Sequence, residues 1–369
     1  MNIGIIGTRG IPNHYGGFEQ FAEYLSIGLT KRGHAVSVYN SHKHPFQERT
    51  WNGVELIHRY DPEDKIGTIG QFIYDFNCIL DSRIRKFDII LQLGYTSSSI
   101  WGWLLPRRTS IITTNVDGLE WKRTKFSPKV KKFLKYAEKL GIKFSDYLIS
   151  DSIGIQDYLR ETYSKNSLYI PYGADIFKIP NEELIIKYDV KPFEYNMLIA
   201  RLEPENSIEI ILDGVVMANQ SSKFLVVGKH NTKFGTYLKD KFKHFKNICF
   251  VGGIYDINIL NNLRHFSNLY FHGHTVGGTN PSLLEAMASQ SLVVANQNIF
   301  NESILGADAF YFRNQNDVCD VLRKVKKQDN LNLITRNEFK INETFSWDNI
   351  ISQYEAHFID IYNAKKKVS

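Results

Sequence analysis

The sequence predicts an α/β protein made of two doubly wound domains, each with a mostly parallel sheet. At 369 residues, the chain is longer than one typical hydrophobic core supports. It opens with an apolar strand, a glycine-rich loop, an amphipathic helix and a second strand, which is how a parallel sheet starts. A second series of strands and helices begins near residue 195. We therefore expect domains at 1–172 and 173–345, and a C-terminal helix at 346–369 that packs back on the first domain.

Each element is predicted from an apolar pattern that ends at turn or capping residues. In the first half, the pattern predicts strands at 2–6, 34–39, 54–58, 87–93, 110–113 and 147–150. It predicts helices there at 18–32, 69–85 and 128–140. In the second half, strands are expected at 195–200, 223–227, 248–251, 269–272, 292–295 and 309–312. Helices are expected between them at 207–219, 236–245, 254–265, 281–289 and 317–327.

Composition and charge narrow the classes of function. The chain is 43% hydrophobic and 23% charged, which is ordinary for a globular protein, and no apolar run approaches the roughly 20 residues of a membrane span. The first residues lack a secretory-signal pattern, and the three cysteines show no disulfide or metal spacing, so we expect a cytoplasmic protein. The net charge of +6 comes entirely from residues 1–172. The first domain should therefore meet an anionic partner, such as a lipid surface or nucleic acid.

The stretch 273–288 combines glycines, a polar turn and a run of helix formers. Asn280 is a good N-cap, and Pro281 suits the first position of a helix. A glycine turn that leads into a helix presents unpaired N–H groups and the positive end of the helix dipole, which together bind phosphate. Glu285, one turn further, could reach a hydroxyl group beside that phosphate. From this stretch alone, an ordinary buried loop before a helix explains the pattern equally well.

Other loops follow predicted strands, where doubly wound sheets bind their ligands. The loop that ends at Gly16-Gly17 carries Arg9 and His14, and is either a binding loop or a flexible lid. Arg201 follows the first strand of the second half, and is either a phosphate clamp or part of a surface ion pair with Glu203 or Glu205.

The loop at 113–121 supplies two carboxylates, Asp117 and Glu120. One of them could act as a base or stabilise a developing cation. An Asx-turn at residue 117 with a solvated Glu120 gives the same pattern. His272 and His274 are too few for a metal site, so contacts with phosphate or sugar suit them better and no metal is expected. Gly4, Gly7 and Gly10 do not have the spacing of a dinucleotide-binding fingerprint, which argues against NAD.

A basic amphipathic helix is predicted from Pro128, within the Lys122–Lys143 region. One face carries apolar residues, and the other carries lysines: Val130, Phe133, Leu134, Ala137 and Leu140 against Lys129, Lys131, Lys132, Lys135 and Lys139. Such helices lie on anionic membrane surfaces, but a core-facing helix with a solvated basic face has the same pattern. Nucleic acid is not expected, because no nucleic-acid-binding fold is visible.

Taken together, these residues resemble retaining glycosyltransferases of the GT-B fold, a large family that includes bacterial mannosyl- and glucosyltransferases. The resemblance covers essentially the whole chain and is carried by Gly16-Gly17, the turn 170–175, the Arg201 loop and the helix 284–288. Three blocks, 7–12 with 15–19, 115–123 and 276–285, are similar to the bacterial rhamnosyltransferases that build capsule and surface polysaccharide. The resemblance implies an α/β, GT-B architecture, with two doubly wound Rossmann-like domains that face a central cleft.

The resemblance also implies roles for individual residues. Asp117 and Arg201 would be catalytic. The donor would be bound by Gly16, Gly17, Arg201, Asn206, Gly277, Gly278, Thr279, Asn280 and Glu285, with Gly17 and Arg201 at the diphosphate and Glu285 at the ribose. The acceptor side would be formed by Arg9, His14, Tyr15 and Glu120. The wider family usually has a glutamate at the position of Gly277 and a lysine at that of Asn206, so the backbone of the 277–280 turn would hold the donor sugar.

We therefore expect a cytoplasmic enzyme, peripheral at the inner face of the cell membrane, in surface-polysaccharide synthesis. It would move L-rhamnose from dTDP-rhamnose to a lipid-linked saccharide, with no cofactor and no metal. Its expected partners are the nucleotide sugar, the lipid-linked acceptor and an anionic membrane that the Lys122–Lys143 region contacts. The alternatives are a hexosyltransferase that uses UDP-glucose or GDP-mannose, a nucleotide-sugar epimerase, and a non-catalytic relative that binds nucleotide sugars.

Overall fold

The structure is a computed structural model that describes residues 1–14, 16–116, 118–123 and 126–368. The chain forms two compact units. The N-terminal unit comprises Met1–Trp121, Phe126–Tyr172 and Trp347–Ser369, and the C-terminal unit comprises Lys122–Lys125 and Gly173–Ser346. Tyr15 and Asp117, which the sequence predicts as acceptor-side and catalytic residues, lie outside the described residues.

The N-terminal unit contains one eight-stranded sheet. Its strands are β1 (Asn2–Ile6), β2 (Ala35–Ser41), β3 (Thr50–Trp51), β4 (Val54–Arg59), β5 (Ile89–Leu93), β6 (Ile111–Val116), β7 (Tyr147–Ser150) and β8 (Leu168–Tyr169). They lie in the order β3-β4-β2-β1-β5-β6-β7-β8, and every pair is parallel except β3 with β4. The helices that connect them are α1 (Gly17–Lys31), α2 (Glu63–Ile66), α3 (Ile69–Ser82), α4 (Pro128–Phe144) and α5 (Ile153–Tyr163).

The C-terminal unit has a six-stranded, fully parallel sheet. Its strands are β9 (Tyr195–Ile199), β10 (Lys223–Val227), β11 (Ile248–Gly252), β12 (Leu269–His272), β13 (Val293–Asn296) and β14 (Phe310–Phe312), in the order β11-β10-β9-β12-β13-β14. Its helices are α6 (Glu183–Ile186), α7 (Ile208–Ala218), α8 (Lys233–Phe242), α9 (Ile257–Phe266), α10 (Pro281–Ala288), α11 (Ile299–Leu305), α12 (Gln315–Lys324) and α13 (Leu331–Glu343).

Helices cover both faces of each sheet, so the central strands are apolar on both sides. All five residues of β5 are buried, for example. In the C-terminal unit, Phe271 and Phe312 from the sheet belong to one core cluster with Leu212 of α7 and Val318 of α12. Gly214 of α7 allows α12 to approach, because a Cβ atom there would lie 2.5 Å from the side chain of Val318.

A last helix, α14 (Trp347–Val368), belongs to the N-terminal unit and packs against α1. The Trp347 ring stacks on Tyr24 with centroids 4.4 Å apart, and Arg32 binds Glu355 at 2.9 Å. Gly28 of α1 leaves room for Ile351, since a Cβ atom at residue 28 would overlap that side chain. Among the described residues, no helix is long and apolar enough to cross a membrane.

All twelve predicted strands are present, with ends that shift by at most three residues. Among the helices of seven or more residues, the sequence did not predict α5, α11 and α13. Their apolar faces are narrow: α5 buries only Ile155 and Leu159, and the buried face of α13 includes a polar residue, Asn337. Packing by neighbouring elements, rather than a strong local pattern, therefore defines these helices.

Candidate functional site

Two loops of the C-terminal unit meet at the carboxyl ends of β9 and β12. The chain runs outward from β9 to β10 and β11, then returns to β12 on the other side of β9. Doubly wound sheets bind ligands where the strand order reverses in this way. Arg201 follows β9, and residues 273–280 follow β12. The fold therefore brings the predicted donor residues of this unit to the same edge of the sheet.

Hydrogen bonds tie these two loops together. Both the backbone N–H and the hydroxyl of Thr275 donate to the carbonyl oxygen of Glu205, at 3.1 and 2.8 Å. Asn206 Nδ2 donates to the carbonyl oxygen of Arg201 at 2.6 Å, so this predicted donor ligand braces the Arg201 loop. Gly273 lies against the same loop, and a Cβ atom there would overlap the carbonyl oxygen of Asn206.

The amino terminus of α10 has the cap that the sequence predicts. Asn280 Oδ1 accepts a hydrogen bond from the N–H of Ser282 at 2.9 Å, and Pro281 is the first helical residue. Gly277 has a φ of 141°, which L side chains rarely adopt, yet no neighbouring atom lies within 4 Å of its Cβ position. Backbone conformation, not lack of space, therefore favours glycine where the related family carries glutamate. The N–H of Leu283 also donates to the carbonyl oxygen of Asn280, so the first turn is capped, and the positive end of the α10 dipole lies at this glycine turn.

Arg201 is an exposed cation on the loop that Thr275 bonds. Among the described residues its side chain forms no ion pair, so the alternative ion pair with Glu203 or Glu205 is not present. The charge of Arg201 contributes to lowering the pKa of His274, which places the two side chains within electrostatic reach. A cation without a carboxylate partner, on a loop bonded to the segment that leads into α10, suits an anionic ligand.

A buried polar cluster that sequence reasoning missed lies under the first turn of α10. Arg264, which is 1% exposed, donates from Nη2 to Glu285 at 2.6 Å and to the hydroxyl of Ser282 at 3.1 Å. The hydroxyl groups of Tyr270 and Ser282 lie 2.9 Å apart. The ion pair fixes the carboxylate of Glu285, the residue predicted to meet the ribose. The sequence feature that could have identified Arg264 is its place in the last turn of α9, beside the buried residues Leu263 and Phe266.

The glycine-rich loop of the N-terminal unit follows β1, next to β5, where the order of that sheet reverses. Its first part is held in place. Glu19 of α1 accepts hydrogen bonds from the Thr8 hydroxyl at 3.1 Å and from the Arg9 N–H at 2.7 Å. Asn40 of β2 bonds both the N–H and the carbonyl oxygen of Ile11. Residues 8–11 are therefore held by side chains of α1 and β2, and Gly16 and Gly17 begin α1 as its cap and first residue.

The predicted acceptor-side residues lie in different surroundings. Arg9 Nη2 pairs with Glu63 Oε2 at 2.7 Å. His14 is exposed and meets the ring of His44 edge-on, with centroids 4.3 Å apart. Glu120 begins a short 3-10 helix, Glu120–Lys122. Arg9 therefore belongs to the sheet edge near the first glycine loop, whereas Glu120 follows β6.

Asp75 is a second carboxylate that sequence reasoning missed at this edge. It lies in α3, is 6% exposed and accepts a hydrogen bond from the Ser97 hydroxyl. Burial raises the pKa of Asp75 to about 6, although Ser97 and the charge of Arg9 act in the opposite direction. Its signal in the sequence was an acid on the buried stripe of a helix, one turn before Cys78 and Ile79.

The basic helix α4 differs in part from the prediction. Its buried face consists of Leu134, Ala137, Glu138, Gly141 and Ile142. Val130 and Phe133, which the pattern places with Leu134 on the apolar face, are 39% and 36% exposed. Lys135 is not on the solvated face, because its Nζ lies 4.3 Å from the centre of the Trp121 ring and 4.5 Å from that of Tyr158. The helix is therefore rotated about its axis so that Glu138 faces the interior. There its carboxylate accepts hydrogen bonds from Trp121, Tyr158 and Tyr163.

Comparison with solved structures shows that the chain has the GT-B fold of glycosyltransferases, as the sequence predicts. Sucrose-phosphate synthase from Thermosynechococcus elongatus superposes with a TM-score of 0.79 at 17% identity, over 98% of this chain and 99% of that chain. HepE from Anabaena, solved with UDP and glucose, has a TM-score of 0.75 at 16% identity, over 97% and 99%. A glycosyltransferase from Rickettsia africae ESF-5 has a TM-score of 0.71 at 14% identity, over 100% and 98%.

Sequence comparison matches a smaller part of the chain than structural comparison does. The model of a family described as a domain of unknown function, DUF1972, matches residues 106–175. That range contains β6, the 3-10 helix Glu120–Lys122, α4, β7, α5 and β8. No curated protein sequence matches the chain significantly. The comparisons therefore show the fold.

Proposed function

We propose that this protein is a retaining glycosyltransferase that transfers L-rhamnose from dTDP-rhamnose to a lipid-linked saccharide. The observation that carries the proposal is Arg201, which has no carboxylate partner among the described residues and lies on the loop bonded to the segment that leads into α10. HepE, which has the same fold, has been solved with UDP and with UDP-glucose. The rhamnosyl donor rests on the three sequence blocks that resemble bacterial rhamnosyltransferases.

In the proposed reaction, the bond between the anomeric carbon and the β-phosphate oxygen breaks, and the nucleoside diphosphate leaves. Arg201 and the positive end of the α10 dipole stabilise the negative charge that develops on the leaving group. The sugar passes through an oxocarbenium-like state. The acceptor hydroxyl attacks from the same face and gives its proton to the departing phosphate, so the anomeric configuration is retained. Asp117 positions the acceptor or stabilises the cation in this scheme, and no metal or cofactor takes part.

The proposed donor pose assigns the remaining residues. Glu285, fixed by Arg264, accepts a hydrogen bond from the sugar of the nucleoside. The backbone of residues 277–280 holds the transferred sugar, and the N–H of Gly17 approaches the phosphates. Arg9, His14, Tyr15 and Glu120 are assigned to the acceptor side.

We propose that α4 places the enzyme on the inner face of the cell membrane. Apolar and aromatic side chains are exposed there together: Phe133 is 36% exposed, Tyr136 57%, and Trp103 of the adjoining 3-10 helix 65%. Exposed lysines alternate with them along α4, at Lys129, Lys132, Lys139 and Lys143. A surface that is both basic and apolar suits anionic lipids, which is where a lipid-linked acceptor resides. The exposure of Val130 and Phe133 favours this interpretation over a core-facing helix with a solvated basic face.

A panel of nucleotide sugars in a thermal-shift assay tests the donor assignment. A ligand that binds only the folded state stabilises it by about 2.7 kcal/mol at a concentration of 100 times its Kd. We expect dTDP-rhamnose to raise the Tm more than UDP-glucose or GDP-mannose at equal concentration, and Arg201→Ala to lose most of this shift. A larger shift with UDP-glucose would replace the rhamnosyl donor with a glucosyl donor.

Donor turnover then separates the three classes of protein. A transferase consumes dTDP-rhamnose rapidly only when a lipid-linked acceptor is present. An epimerase converts the donor equally fast without acceptor, and a non-catalytic binding protein leaves it unchanged while still giving the thermal shift. Either of the last two results would contradict the proposed transferase.

A further inference from the structure

Two histidine side chains form a stacked pair at the carboxyl end of β12. The rings of His272 and His274 are stacked, with centroids 4.4 Å apart and an angle of 19° between their planes. His272 is 1% exposed, and neither of its ring nitrogens has a hydrogen-bond partner among the described residues. Nδ1 of His274 is likewise buried without a partner. Native proteins rarely leave buried polar atoms unpaired, so the unpaired ring nitrogens of this stacked pair indicate a role other than packing.

Both rings are uncharged in this environment. Burial is the main cause that lowers the pKa of His274 to about 3, and the charges of Arg201 and Arg123 act in the same direction. Burial, His274 and Arg264 hold the pKa of His272 well below its usual range. Each ring therefore carries one N–H donor and one acceptor nitrogen. Unpaired buried donors are rarer than unpaired buried acceptors, which favours a proton on Nε2 of His274 rather than on its buried Nδ1.

The backbone of His274 is held firmly on both sides. Its carbonyl oxygen accepts hydrogen bonds from Asn298 Nδ2 at 3.0 Å and from Asn301 Nδ2 at 3.1 Å. Gly273, between the two histidines, packs against the backbone of Asn206 without room for a side chain. The partly buried ring of His274 thus has a fixed position at the carboxyl edge of the sheet, on the same loop as the glycine turn and within electrostatic reach of Arg201.

We propose that His274 binds the diphosphate of the nucleotide by donating its Nε2–H to a phosphate oxygen, and that His272 is a positioning residue that holds the ring by stacking. This inference rests on the proposed function and adds a neutral donor to the site where the related family places a lysine cation. A neutral imidazole supplies a directed hydrogen bond without adding a third positive charge to those of Arg201 and Arg123. Asn206, which stands at the lysine position, is engaged with the backbone of Arg201 instead.

Two substitutions of His274 separate its hydrogen bond from its stacking. His274→Phe keeps a flat ring against His272 but removes the donor, and His274→Gln keeps an N–H group near the position of Nε2. Affinities for UDP, dTDP and inorganic pyrophosphate are measured by isothermal titration, with uridine as the control ligand that lacks phosphate. We expect His274→Phe to lower the affinity for the phosphate-bearing ligands on the order of tenfold or more, because a hydrogen bond to a charged group is lost. We expect His274→Gln to bind them within about threefold of the wild-type protein.

Neither substitution should change the affinity for uridine, and the Tm of His274→Phe should stay near that of the wild-type protein. Wild-type affinity for UDP and dTDP in His274→Phe would overturn this inference while leaving the proposed function in place. Equal losses in His274→Phe and His274→Gln would also overturn it, because the ring rather than its N–H group would then matter. Absence of nucleoside diphosphate binding by the wild-type protein would overturn the proposed function as well.

Discussion

Replacing Arg201 with alanine is expected to lower kcat/KM by about 100- to 1,000-fold, because one preorganised group that stabilises a developing anion contributes on this scale. Arg201 is exposed and forms no ion pair with a described residue, so its removal leaves no buried charge behind. The Tm should therefore change little. Arg201→Lys keeps the charge but loses the planar pair of donors, and should recover part of the activity. Steady-state rates of donor consumption with saturating acceptor provide the measurement.

Arg313→Ala is the matched control for this substitution. Arg313 is an exposed arginine of the same unit that follows the edge strand β14, so the variant has the same change of net charge. It should keep its activity within about twofold, as surface substitutions usually do. Normal turnover by Arg201→Ala would remove the phosphate clamp from the mechanism. Equal losses in both variants would point to the overall charge of the unit instead of a specific contact.

Replacing Glu138 with alanine is expected to destabilise the N-terminal unit by about 3–5 kcal/mol, the usual cost of removing one partner from a buried charged cluster. Glu138 is fully buried and accepts hydrogen bonds from Trp121 Nε1 at 3.0 Å and from the hydroxyl groups of Tyr158 and Tyr163 at 2.6 Å each. Lys135 Nζ lies 3.0 Å from the same carboxylate. Without Glu138, these donors and the lysine charge lose their common acceptor. Urea unfolding, followed by tryptophan fluorescence, measures the change in the free energy of unfolding.

The same cluster anchors residues 118–121, since Trp121 bonds Glu138 and Tyr95 donates to the carbonyl oxygen of Gly118 at 3.4 Å. Activity should therefore fall together with stability. Lys139→Ala, an exposed position next to Glu138 on α4, is the control and should stay within about 0.5 kcal/mol of the wild-type protein. A loss below about 1 kcal/mol for Glu138→Ala would show that the cluster does not hold this part of the unit.

Sequence reasoning predicted the regular elements with wide apolar faces and missed those without them. The strands from β1 to β14 that are longer than two residues were all predictable, because burial on both faces requires nearly continuous apolar runs. The short strands β3 and β8 and the narrow-faced helices α5, α11 and α13 depend on neighbours that are distant in the chain. The rotation of α4 was not predictable either, because the attraction of Glu138 for Tyr158, Tyr163 and Trp121 is a tertiary effect.

The candidate site was predictable where a local motif defines it. The Asn280 cap, Pro281 and the glycine turn were visible as a motif, and Arg201 was visible because it directly follows a strand. The supporting residues Glu19, Asp75 and Arg264 were not identified, because their roles require contacts across 10 to 22 positions of the chain. A charged residue on the buried stripe of a helix was the one signal that these three residues shared.

The most direct test of the central claim is hydrogen–deuterium exchange of the wild-type protein with and without UDP or dTDP. We predict slower exchange in peptides that cover residues 201–206 and 272–285, because their backbone N–H groups bind the diphosphate or become ordered around it. Peptides from α12 and α13, which carry no predicted site residue, should be unchanged. If titration shows that the nucleotide binds while residues 201–206 and 272–285 exchange as fast as before, the donor site is not at the carboxyl ends of β9 and β12.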